Sequence, residues 1–393
     1  MAYPRKLRQN LIDEINKPDI VVLTGMRQVG KTTIMRDIYD EIPGDNKVFL
    51  DLENPLNRKI FEEDNYDNIL LNLREFYISP KKKTYIFIDE IQLMPGIVRS
   101  VKYLYDHYQI KFFLTGSSSY YLKNLFPESL AGRKIIYELY PLTFQEFLIF
   151  KEIKKEFTSS FTSKARNKNN ISYERYVKLF DEYITYGGFP GVVLESDIKR
   201  KTLKLADIFT SYFEKDVRSI SDFQNMNRVR DTILLLADRS GSKFDVSKFA
   251  SEIGVSRNTI YSYTEFLEKT YFIKFLRPYS KNINGEVRGA KKVYLCDSGL
   301  LNYLTKLSNG SIFETAVYNL LQHYGRLNYY QKYRGSEIDF ILNGKIGFEV
   351  KQTGNERDVH RLGKIVSKLG LKDYYLVVQR YNNHERMILA QDI

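Results

Sequence analysis

The sequence is poor in the residues that build disulfide-stapled, zinc-bound and membrane-spanning proteins. Its 393 residues include one cysteine, Cys296, four histidines and no tryptophan. One cysteine cannot form an internal disulfide, and no cluster of cysteine and histidine has the spacing of a zinc site. No apolar run approaches the ~20 residues that span a bilayer, and the basic N-terminus lacks the apolar segment of a signal peptide. These absences predict a protein of a reducing, cytoplasmic compartment that is not inserted in a membrane.

The composition is that of a globular chain with an excess of positive charge. Hydrophobic residues make up 43% and charged residues 27% of the sequence, a balance that argues against bulk disorder. At ~100–200 residues per domain, the length suits two to four domains. The 60 lysines and arginines outnumber the 48 acids and give a net charge of +12. This excess favours a polyanionic partner, although many basic proteins bind none.

Five short apolar runs occur in the first 141 residues, with helical patterns between them. The runs are residues 20–24, 47–52, 85–89, 111–115 and 135–140. Because strands that alternate with helices usually pair in parallel, this pattern predicts a parallel α/β sheet for residues 1–141.

A glycine-rich pattern follows the first apolar run. Residues 25–32 read GMRQVGKT, which is G-x-x-x-x-G-K-T between a predicted strand and a predicted helix. The backbone amides of such a loop and the N-terminus of the next helix point at phosphates, the lysine reaches them, and the threonine hydroxyl binds Mg²⁺. The residues predicted to contact ATP or its Mg²⁺ are Gly25, Arg27, Gln28, Val29, Gly30, Lys31, Thr32 and Thr33.

Two acids end the third apolar run. Asp89 suits the Mg²⁺ shell, and Glu90 suits a base that orients the attacking water in phosphoryl transfer. The alternative is an acid pair that caps the end of a strand. The run at 47–52 lies between the loop and the acids along the chain. An acid that follows directly, with such an inserted strand, is typical of ATPases that carry an added catalytic glutamate.

Longer segments extend this pattern into a family resemblance. The chain resembles archaeal and bacterial AAA-type ATPases with a C-terminal region of unknown function in GMRQVGKTT, YIFIDEIQ, FFLTGSSS and ESLAGRKIIYELYPLTFQEF. YGGFPG, KKVYLCDSGL and EIDF with EVK extend the resemblance over nearly the whole chain. It implies that Thr115 or Ser117 senses the γ-phosphate and that Arg133 acts as an arginine finger in a homo-oligomer. The alternative for Arg133 is a surface arginine that caps a helix.

Residues 142–236 are predicted to form a helical lid or linker region. The Lys-, Ser- and Asn-rich segment 150–170 within it is expected to be a mobile insertion or a linker. Residues 186–191, YGGFPG, form a cluster of turn-forming glycines and a proline. This region is expected to connect the ATPase to the domains that follow.

Residues 237–305 carry a helix-turn-helix pattern followed by a basic segment. Gly254 suits the turn and Ser256 the N-cap of the second helix, whose first residues would reach base edges in the major groove. A basic hairpin beyond it would form a wing that touches phosphates. The alternative is a winged helix that serves packing or oligomerisation. The residues predicted to contact DNA are Arg257, Asn258, Thr259, Lys281, Arg288, Lys291 and Lys292.

Residues 306–393 resemble the PD-(D/E)XK nucleases, and among them the archaeal Holliday-junction resolvases. The predicted order is helix, three strands, helix and strand, with Glu314, Asp339, Glu349 and Lys351 at the motif positions. The resemblance implies a second divalent cation, Mg²⁺ or Mn²⁺, held by the three acids, and a lysine that orients or activates water. The alternative is a solvated salt-bridge lattice on an inactive scaffold.

The register of the two strands that carry these residues can be predicted from their pattern. A two-residue Asn343-Gly344 turn would mix polar and apolar residues on each face. A three-residue loop, 343–345, gives one apolar face instead. The apolar pairs in that register are Ile338 with Val350, Phe340 with Phe348, and Leu342 with Ile346. The polar face then gathers Glu337, Asp339, Glu349 and Lys351.

Together these features predict a multidomain α/β protein. We expect a P-loop parallel-sheet ATPase domain, a helical and winged-helix region, and a small α/β nuclease-like domain. The expected function is Mg²⁺-dependent ATP hydrolysis coupled to binding of duplex or branched DNA, with metal-dependent DNA cleavage left open. The alternative is a nucleotide-dependent regulatory switch, of signalling or defence type, whose C-terminal domain only binds.

Overall fold

The computed structural model describes most of the chain. It covers residues 4–79, 81–108, 110–117, 130, 132–218, 225–332 and 336–393, with position 283 described by its backbone alone. The chain divides into two compact units, Met1–Tyr140 with Lys269–Tyr271, and Pro141–Glu268 with Phe272–Ile393. Within the described ranges, no helix has the length and apolar character needed to cross a membrane.

The N-terminal unit is a parallel sheet with helices. Its strands are β1 (Ile20–Thr24), β2 (Lys47–Asp51), β3 (Thr84–Asp89), β4 (Ile110–Gly116) and β5 (Lys134–Glu138). Its helices in the described residues are α1 (Leu7–Asp13), α2 (Lys31–Glu41), α3 (Pro55–Lys59), α4 (Asp67–Arg74) and α5 (Ile97–His107). All strand pairs are parallel, in the order β2-β3-β4-β1-β5. The predicted parallel α/β sheet is confirmed.

The centre of this sheet is fully buried. Every residue of β1 and β4 is buried, as expected for strands that read as continuous apolar runs and are covered on both faces. β4 lies between β1 and β3, so the carboxyl ends of these three strands meet at one edge. Residues 118–129, which hold parts of the segments FFLTGSSS and ESLAGRK, lie outside the described residues.

The second unit combines helices with two sheets. Its helices in the described residues are α6 (Phe144–Phe150), α7 (Phe161–Arg166), α8 (Asn170–Tyr186), α9 (Pro190–Val193), α10 (Ile198–Tyr212), α11 (Met226–Asp238), α12 (Val246–Ile253), α13 (Arg257–Lys269), α14 (Ile283–Arg288), α15 (Ser298–Leu304), α16 (Asn309–Leu321) and α17 (Glu356–Leu369). Its strands are β6 (Ile273–Leu276), β7 (Lys292–Leu295), β8 (Leu327–Gln331), β9 (Glu337–Leu342), β10 (Ile346–Lys351), β11 (Asp373–Val378) and β12 (Met387–Leu389). β6 and β7 pair antiparallel, and the others form a sheet in the order β12-β11-β10-β9-β8. The multidomain α/β fold is therefore as predicted.

The segment 150–170 is ordered by lysines that reach the end of the chain. Lys155 Nζ lies 2.6 Å from Asp392 Oδ1, and Lys168 Nζ donates to the carbonyl of His384 at 2.8 Å. Their apolar stems are covered while each ammonium finds an oxygen acceptor, as long basic side chains commonly do. The prediction of a mobile insertion is therefore wrong, because its lysine-rich composition serves packing within the second unit.

Two of the family-type segments, YGGFPG and CDSGL, meet at Asp297. Its Oδ2 accepts from the Gly188 amide at 2.7 Å, and its Oδ1 accepts from the Leu300 amide at 2.8 Å. A Cβ at Gly187, where φ is 76°, would lie 2.0 Å from the Asp297 carboxylate, so the close approach requires glycine. Burial raises the pKa of Asp297 to about 6 in spite of these hydrogen bonds. The two segments thus join the end of α8 to the start of α15.

The hairpin between β9 and β10 has the predicted register. Leu342 pairs with Ile346, so the connecting loop has three residues. Its first two residues, Asn343 and Gly344, have φ values of 52° and 66°, a conformation that asparagine and glycine adopt at low cost. The apolar pattern therefore identified this register correctly.

A bulge in β9 changes the faces that were predicted beyond the loop. In the pairing with β8, Tyr329 stands opposite both Asp339 and Phe340. Such an extra residue interrupts the alternation of side chains, and Ile338 and Ile341 both lie in the core that α17 covers. The predicted row with Ile338 and Phe340 on one apolar face is therefore wrong.

Candidate functional site

The phosphate loop connects the end of β1 to the start of α2. At Gly25 φ is 153°, and a Cβ there would lie 2.2 Å from the carbonyl oxygen of Leu139, so the loop passes where only glycine fits. Gly30, with φ of 99°, is the N-cap of α2. The first amides of α2 have no partners within the helix and lie at this loop, an arrangement that binds phosphate groups.

Lys31 lies inside the loop. The residue is 5% exposed, and its Nζ donates to the carbonyls of Gly25 at 3.0 Å and Met26 at 3.1 Å. Because a buried ammonium needs hydrogen-bond partners, these carbonyls fix its charge within the loop. This position agrees with the phosphate contact predicted for Lys31.

The other predicted loop residues differ in exposure. Val29 is buried, and its carbonyl accepts from Arg5 Nη1 at 2.8 Å. Arg27 is half-buried, whereas Gln28 and Thr33 are exposed. All of them lie between the end of β1 and the first turn of α2.

A hydrogen bond joins the loop to the acid strand. Thr32, in the first turn of α2, donates from Oγ1 to Asp89 Oδ2 at 2.7 Å. Thr115, at the end of β4, donates to the other oxygen of Asp89. The Asp89 carboxylate is therefore held between two hydroxyl groups from neighbouring elements.

The surroundings of Asp89 fit a Mg²⁺ ion. Burial raises the pKa of Asp89, against the hydrogen bonds from Thr115 and Thr32, which lower it. A cation beside a buried carboxylate stabilises its charged form, and hydroxyl and carboxylate oxygens are ligands that Mg²⁺ prefers. Thr32 and Asp89 therefore supply a suitable ligand pair.

Glu90 is held from its backbone and from its side chain. Its amide donates to Thr115 Oγ1 at 3.1 Å, and its φ of 58° places it in the left-handed region. Gln92 Nε2 donates to Glu90 Oε2 and, at 2.9 Å, to Ser117 Oγ. The Ser117 amide donates back to Gln92 Oε1 at 3.3 Å. One amide side chain therefore connects the predicted base to the predicted γ-phosphate sensor.

Sequence reasoning did not find Gln92. The residue lies two positions after Glu90, in the short 3-10 turn Ile91–Leu93 that follows the acid strand. Because the carboxyl ends of neighbouring parallel strands converge, a polar residue in that turn was the available signal.

Arg133 lies at the amino-terminal end of the parallel strands, whereas the phosphate loop follows the carboxyl end of β1. It directly precedes β5, whose first residue, Lys134, pairs with Ile20 at the start of β1. The five residues of β1 at ~3.3 Å each separate that end from the loop. The Arg133 Nε donates to Asp106 Oδ1 at 2.7 Å. Arg133 cannot reach the loop of its own chain from there, so a role as a finger requires a neighbouring subunit.

The predicted helix-turn-helix pattern corresponds to α12 and α13. Gly254 has φ of 73° at the end of α12, and Ser256 Oγ accepts from the Thr259 amide at 3.1 Å at the start of α13. Arg257 and Asn258 are exposed in this first turn, whereas Thr259 is half-buried. The turn and cap thus present two of the three predicted base-contacting side chains to solvent.

The predicted basic wing is largely attached to the C-terminal sheet. The segment after β6 pairs with β8 through the Tyr279 amide, which donates to the carbonyl of Tyr329 at 2.5 Å, and it then forms α14. Lys281 and Arg288 remain exposed, and Lys291 is half-buried. The hairpin itself is present, because β6 and β7 pair antiparallel, and the segment that connects its two strands contains the short, largely exposed helix α14.

Lys292 does not contribute to such a wing. The residue is 5% exposed, and its Nζ lies 2.8 Å from Glu337 Oε1 and 3.9 Å from Glu314 Oε1. Burial lowers the pKa of Lys292, but the facing carboxylates outweigh burial and raise it. The prediction of a phosphate contact is therefore wrong for Lys292, whose charge is directed at the C-terminal acids.

The first part of the C-terminal acid cluster surrounds this lysine. Glu314, in α16, accepts from Tyr294 Oη at 2.7 Å. Burial and then the nearby Asp339 raise the pKa of Glu314, against the lowering effect of Lys292. Asp339 Oδ2 accepts from the Val350 amide at 2.8 Å. Both acids thus have a protein donor on one oxygen.

The second part of the cluster is centred on Glu349. Its Oε1 accepts from Arg361 in α17 and lies 3.4 Å from Lys351 Nζ. Burial and then Asp339 raise the pKa of Glu349, while Arg361 and Lys351 lower it. Lys351 is therefore an ion-pair partner of Glu349 in this arrangement.

The acid cluster does not fit the predicted second divalent cation. Within the described residues, no group of three or more His, Cys, Asp or Glu side chains is arranged to hold a metal ion. Lys292 faces Glu314, and Arg361 faces Glu349. The prediction that Glu314, Asp339 and Glu349 form one metal site is therefore wrong for this structure, and cationic side chains occupy the positions beside these acids.

Comparison with protein families gives a match for each region of the chain. Residues 17–148 match an AAA domain. This match and the five-stranded parallel sheet support a P-loop fold of AAA type for the N-terminal unit. Residues 177–311 and 309–390 match two domains of unknown function, DUF8612 and DUF4143. The family matches thus name an AAA domain in the N-terminal part of the chain and leave the activity of the second unit undefined.

The sequence similarity extends beyond the AAA domain. An uncharacterized protein of Methanocaldococcus jannaschii is 27% identical over 387 residues, covering 93% of this chain and 82% of the relative. An uncharacterized protein of Haemophilus influenzae is 26% identical over 377 residues, covering 89% of this chain and 88% of the relative. Among solved structures, a Walker-type ATPase of Pyrococcus abyssi has a TM-score of 0.47 at 17% identity, covering 77% of this chain and 95% of that one.

Proposed function

We propose that the AAA domain binds ATP with Mg²⁺ and hydrolyses it. The observation that carries this proposal is the 2.7 Å hydrogen bond between Thr32 and Asp89, which are 57 positions apart in the chain. It brings two side chains that suit Mg²⁺ together beside the loop that holds Lys31. A glycine-rich turn that arose by chance would not be expected to form a hydrogen bond with a distant buried acid.

The roles of the residues follow from their positions. Bound ATP supplies the phosphoryl group that passes to water, and Mg²⁺ neutralises charge on its oxygens. Lys31 and the loop amides hold phosphate oxygens. Glu90 orients the attacking water and accepts its proton. Gln92 and Thr115 fix the side chain and the backbone of Glu90, so they position the base.

Two variants test this assignment. Lys31→Ala should lose nucleotide binding, because the charge that holds the phosphates is gone. Glu90→Gln should bind ATP but hydrolyse it ~10²–10⁴-fold more slowly, because only the proton acceptor is removed. Binding of a fluorescent nucleotide and release of phosphate are measured on both. Wild-type turnover by Glu90→Gln would show that another group activates the water.

The proposal includes contact with duplex or branched DNA through the helix-turn-helix. The exposed side chains of Arg257 and Asn258 at the start of α13 support it, as does the net charge of +12. ATP turnover would then drive rearrangement of domains or subunits of a homo-oligomer on DNA. The test compares ATP turnover with and without duplex or junction DNA. A rate that no DNA changes would count against this coupling.

One observation favours a second candidate function, a nucleotide-dependent regulatory switch whose C-terminal domain only binds. The carboxylates that the nuclease resemblance requires are paired with Lys292 and Arg361. A switch needs this domain as a stable surface and requires no cleavage. Incubation of the protein with labelled duplex and junction DNA and Mn²⁺ separates the two functions, because only the nuclease yields product.

A further inference from the structure

Strand β7 presents two alternate side chains to the C-terminal acid cluster. Lys292 and Tyr294 are separated by one residue, so they project from the same face of the strand. Lys292 Nζ lies 2.8 Å from Glu337 Oε1 and 3.9 Å from Glu314 Oε1. Tyr294 Oη donates to the same Glu314 oxygen at 2.7 Å. A strand of the helix-turn-helix region therefore supplies both a cation and a hydrogen-bond donor to the cluster.

The position of this strand is fixed by packing. The Tyr294 ring stacks on Tyr318 of α16, with centroids 4.3 Å apart. The ammonium of Lys292 lies 5.3 Å from the ring centroid of Tyr329, in β8. Tyr329 also pairs through its backbone with the segment that leads to α14. These contacts hold β7, and with it the backbone of Lys292, against α16 and β8.

Carboxylates that are wholly or partly buried require a nearby cation or hydrogen-bond donors, because a charge removed from water without them is unfavourable. In a metal-dependent hydrolase, a divalent cation meets that requirement. Here the chain meets it with its own groups. Lys292 faces Glu337 and Glu314, and Arg361 faces Glu349.

We propose that Lys292 is the resident cation of the acid cluster and takes the place of the divalent cation that the nuclease resemblance implies. β7 then locks the cluster in a metal-free form, and the domain does not cleave phosphodiester bonds in this state. One atom marks where the opposite result would be seen. Glu349 Oε2 is buried and, among the described residues, accepts no hydrogen bond, so it is where a metal would bind if the proposal were wrong.

The experiment uses the full chain without nucleotide and compares Lys292→Met with wild type. Methionine keeps the length and apolar stem of lysine and removes the charge. Melting is followed in EDTA and in excess Mn²⁺, and bound Mn²⁺ is counted by its electron spin resonance signal. Asp339→Asn and the double variant Lys292→Met/Asp339→Asn are the controls, because Mn²⁺ bound at the phosphate loop is unaffected by Asp339.

The expected results differ between the proteins. Wild type and Asp339→Asn should respond equally to Mn²⁺. Lys292→Met should melt lower in EDTA and recover in Mn²⁺, by ~5–10 °C when Mn²⁺ is ~100-fold above its Kd. It should bind one more Mn²⁺ than wild type. The double variant should neither recover in Mn²⁺ nor bind the additional ion.

Three outcomes would overturn the proposal. The first is Mn²⁺ bound by wild type and absent from Asp339→Asn, since the metal would then coexist with the lysine. The second is a folded Lys292→Met protein without any added response to Mn²⁺. If Lys292→Met does not fold, Lys292→Arg decides, because a second cation at this position should restore wild-type melting. Failure of Lys292→Arg to do so would show that charge is not what the position requires.

None of these results depends on ATP hydrolysis. The variants lie in the second unit, and ATP turnover is measured on each as an independent readout. An inactive ATPase with the expected Mn²⁺ behaviour would contradict the proposed function and leave this inference standing.

Discussion

Two regions of the molecule place a carboxylate that is wholly or partly buried beside a lysine, but different groups offset the negative charge of that carboxylate. In the AAA domain, Asp89 accepts from the neutral hydroxyls of Thr32 and Thr115. In the C-terminal cluster, Glu314 faces Lys292 and Glu349 faces Arg361. The first arrangement leaves a role for a cation from outside the chain, whereas the second arrangement contains its own cations. Similar residue types thus give an open site in one unit and a closed network in the other.

The largest expected effect tests whether an arginine from a neighbouring subunit also contributes its positive charge to the open site. Arg133→Ala should slow ATP turnover by ~10³-fold or more, because an arginine finger contributes ~10³–10⁵ in rate. Wild-type turnover per chain should also rise with protein concentration. Phosphate release is measured across a concentration series.

A mixing experiment is the control for this role. Arg133→Ala and Lys31→Ala subunits are each inactive, but a mixture should recover activity because one supplies the finger and the other the nucleotide loop. Concentration-independent turnover by a proven monomer would contradict the idea and leave Arg133 as the partner of Asp106.

A smaller effect is expected from the residue that joins the base to the sensor. Gln92→Leu removes the hydrogen bonds to Glu90 and Ser117 and keeps the volume. A displaced base should lower kcat by ~10–10²-fold while KM for ATP changes less, because Lys31 and the loop amides, which hold the phosphates in the ground state, are unchanged in this variant. Gln92→Glu is the matched variant, since it adds repulsion of Glu90. Equal losses in kcat and in nucleotide affinity would assign Gln92 to folding of the site.

The next effect concerns Asp297, which is buried as a carboxyl without a cation in its described contacts. Its pKa is raised from 3.8 to about 6, so the folded chain binds this proton more tightly than the unfolded chain. The contribution of Asp297 to the free energy of unfolding is therefore greatest below pH ~4 and is lost, by ~3 kcal/mol in total, as pH rises through ~6 to ~7. Urea unfolding of wild type and Asp297→Asn from pH 4 to 7 measures this difference. A constant difference across that range would contradict it.

These regions also differ in how far the sequence could predict them. The phosphate loop was predictable because its chemistry lies within eight consecutive residues and its strand and helix flank it directly. Asp89 and Glu90 were predictable because they end an apolar run. Gln92 was missed because its function depends on the meeting of two strand ends.

The second unit could be predicted only where local patterns decide the structure. The three-residue loop of the β9–β10 hairpin followed from the apolar pattern. The bulge at Asp339 and Phe340 did not, because the apolar pattern of β9 is that of a strand with regular alternation. Lys292 and Glu337 form an ion pair although they are 45 positions apart in the chain. Such a distant partner is not visible in the local sequence, so the basic composition around Lys292 indicated a wing instead. Such pairings are set by tertiary packing.

Exposed basic residues are expected to contribute to DNA binding, whereas buried ones are not. Replacing Lys281, Arg288 and Lys291 with Ala should reduce the salt slope of log K on duplex DNA by ~0.9 for each phosphate that the protein no longer neutralises. Arg257→Ala should act in the same direction at the helix-turn-helix. Binding is measured by fluorescence anisotropy over a range of salt. An unchanged slope would assign the helix-turn-helix to packing or oligomerisation.

The smallest expected effect is that of Lys351→Ala, and it distinguishes the closed network from a nuclease site. Lys351 lies 3.4 Å from Glu349 Oε1, and its side chain is 41% exposed. Because Arg361 also pairs with that oxygen, the removal of Lys351 should cost only ~0.2–1 kcal/mol, as for other solvent-exposed ion pairs. ATP turnover should not change. In a nuclease, the same lysine orients or activates the water, so its removal would abolish cleavage. Any Mn²⁺-dependent cleavage of junction DNA that wild type shows and Lys351→Ala lacks would therefore make the C-terminal cluster a catalytic site, with Lys292 displaced from it during the reaction.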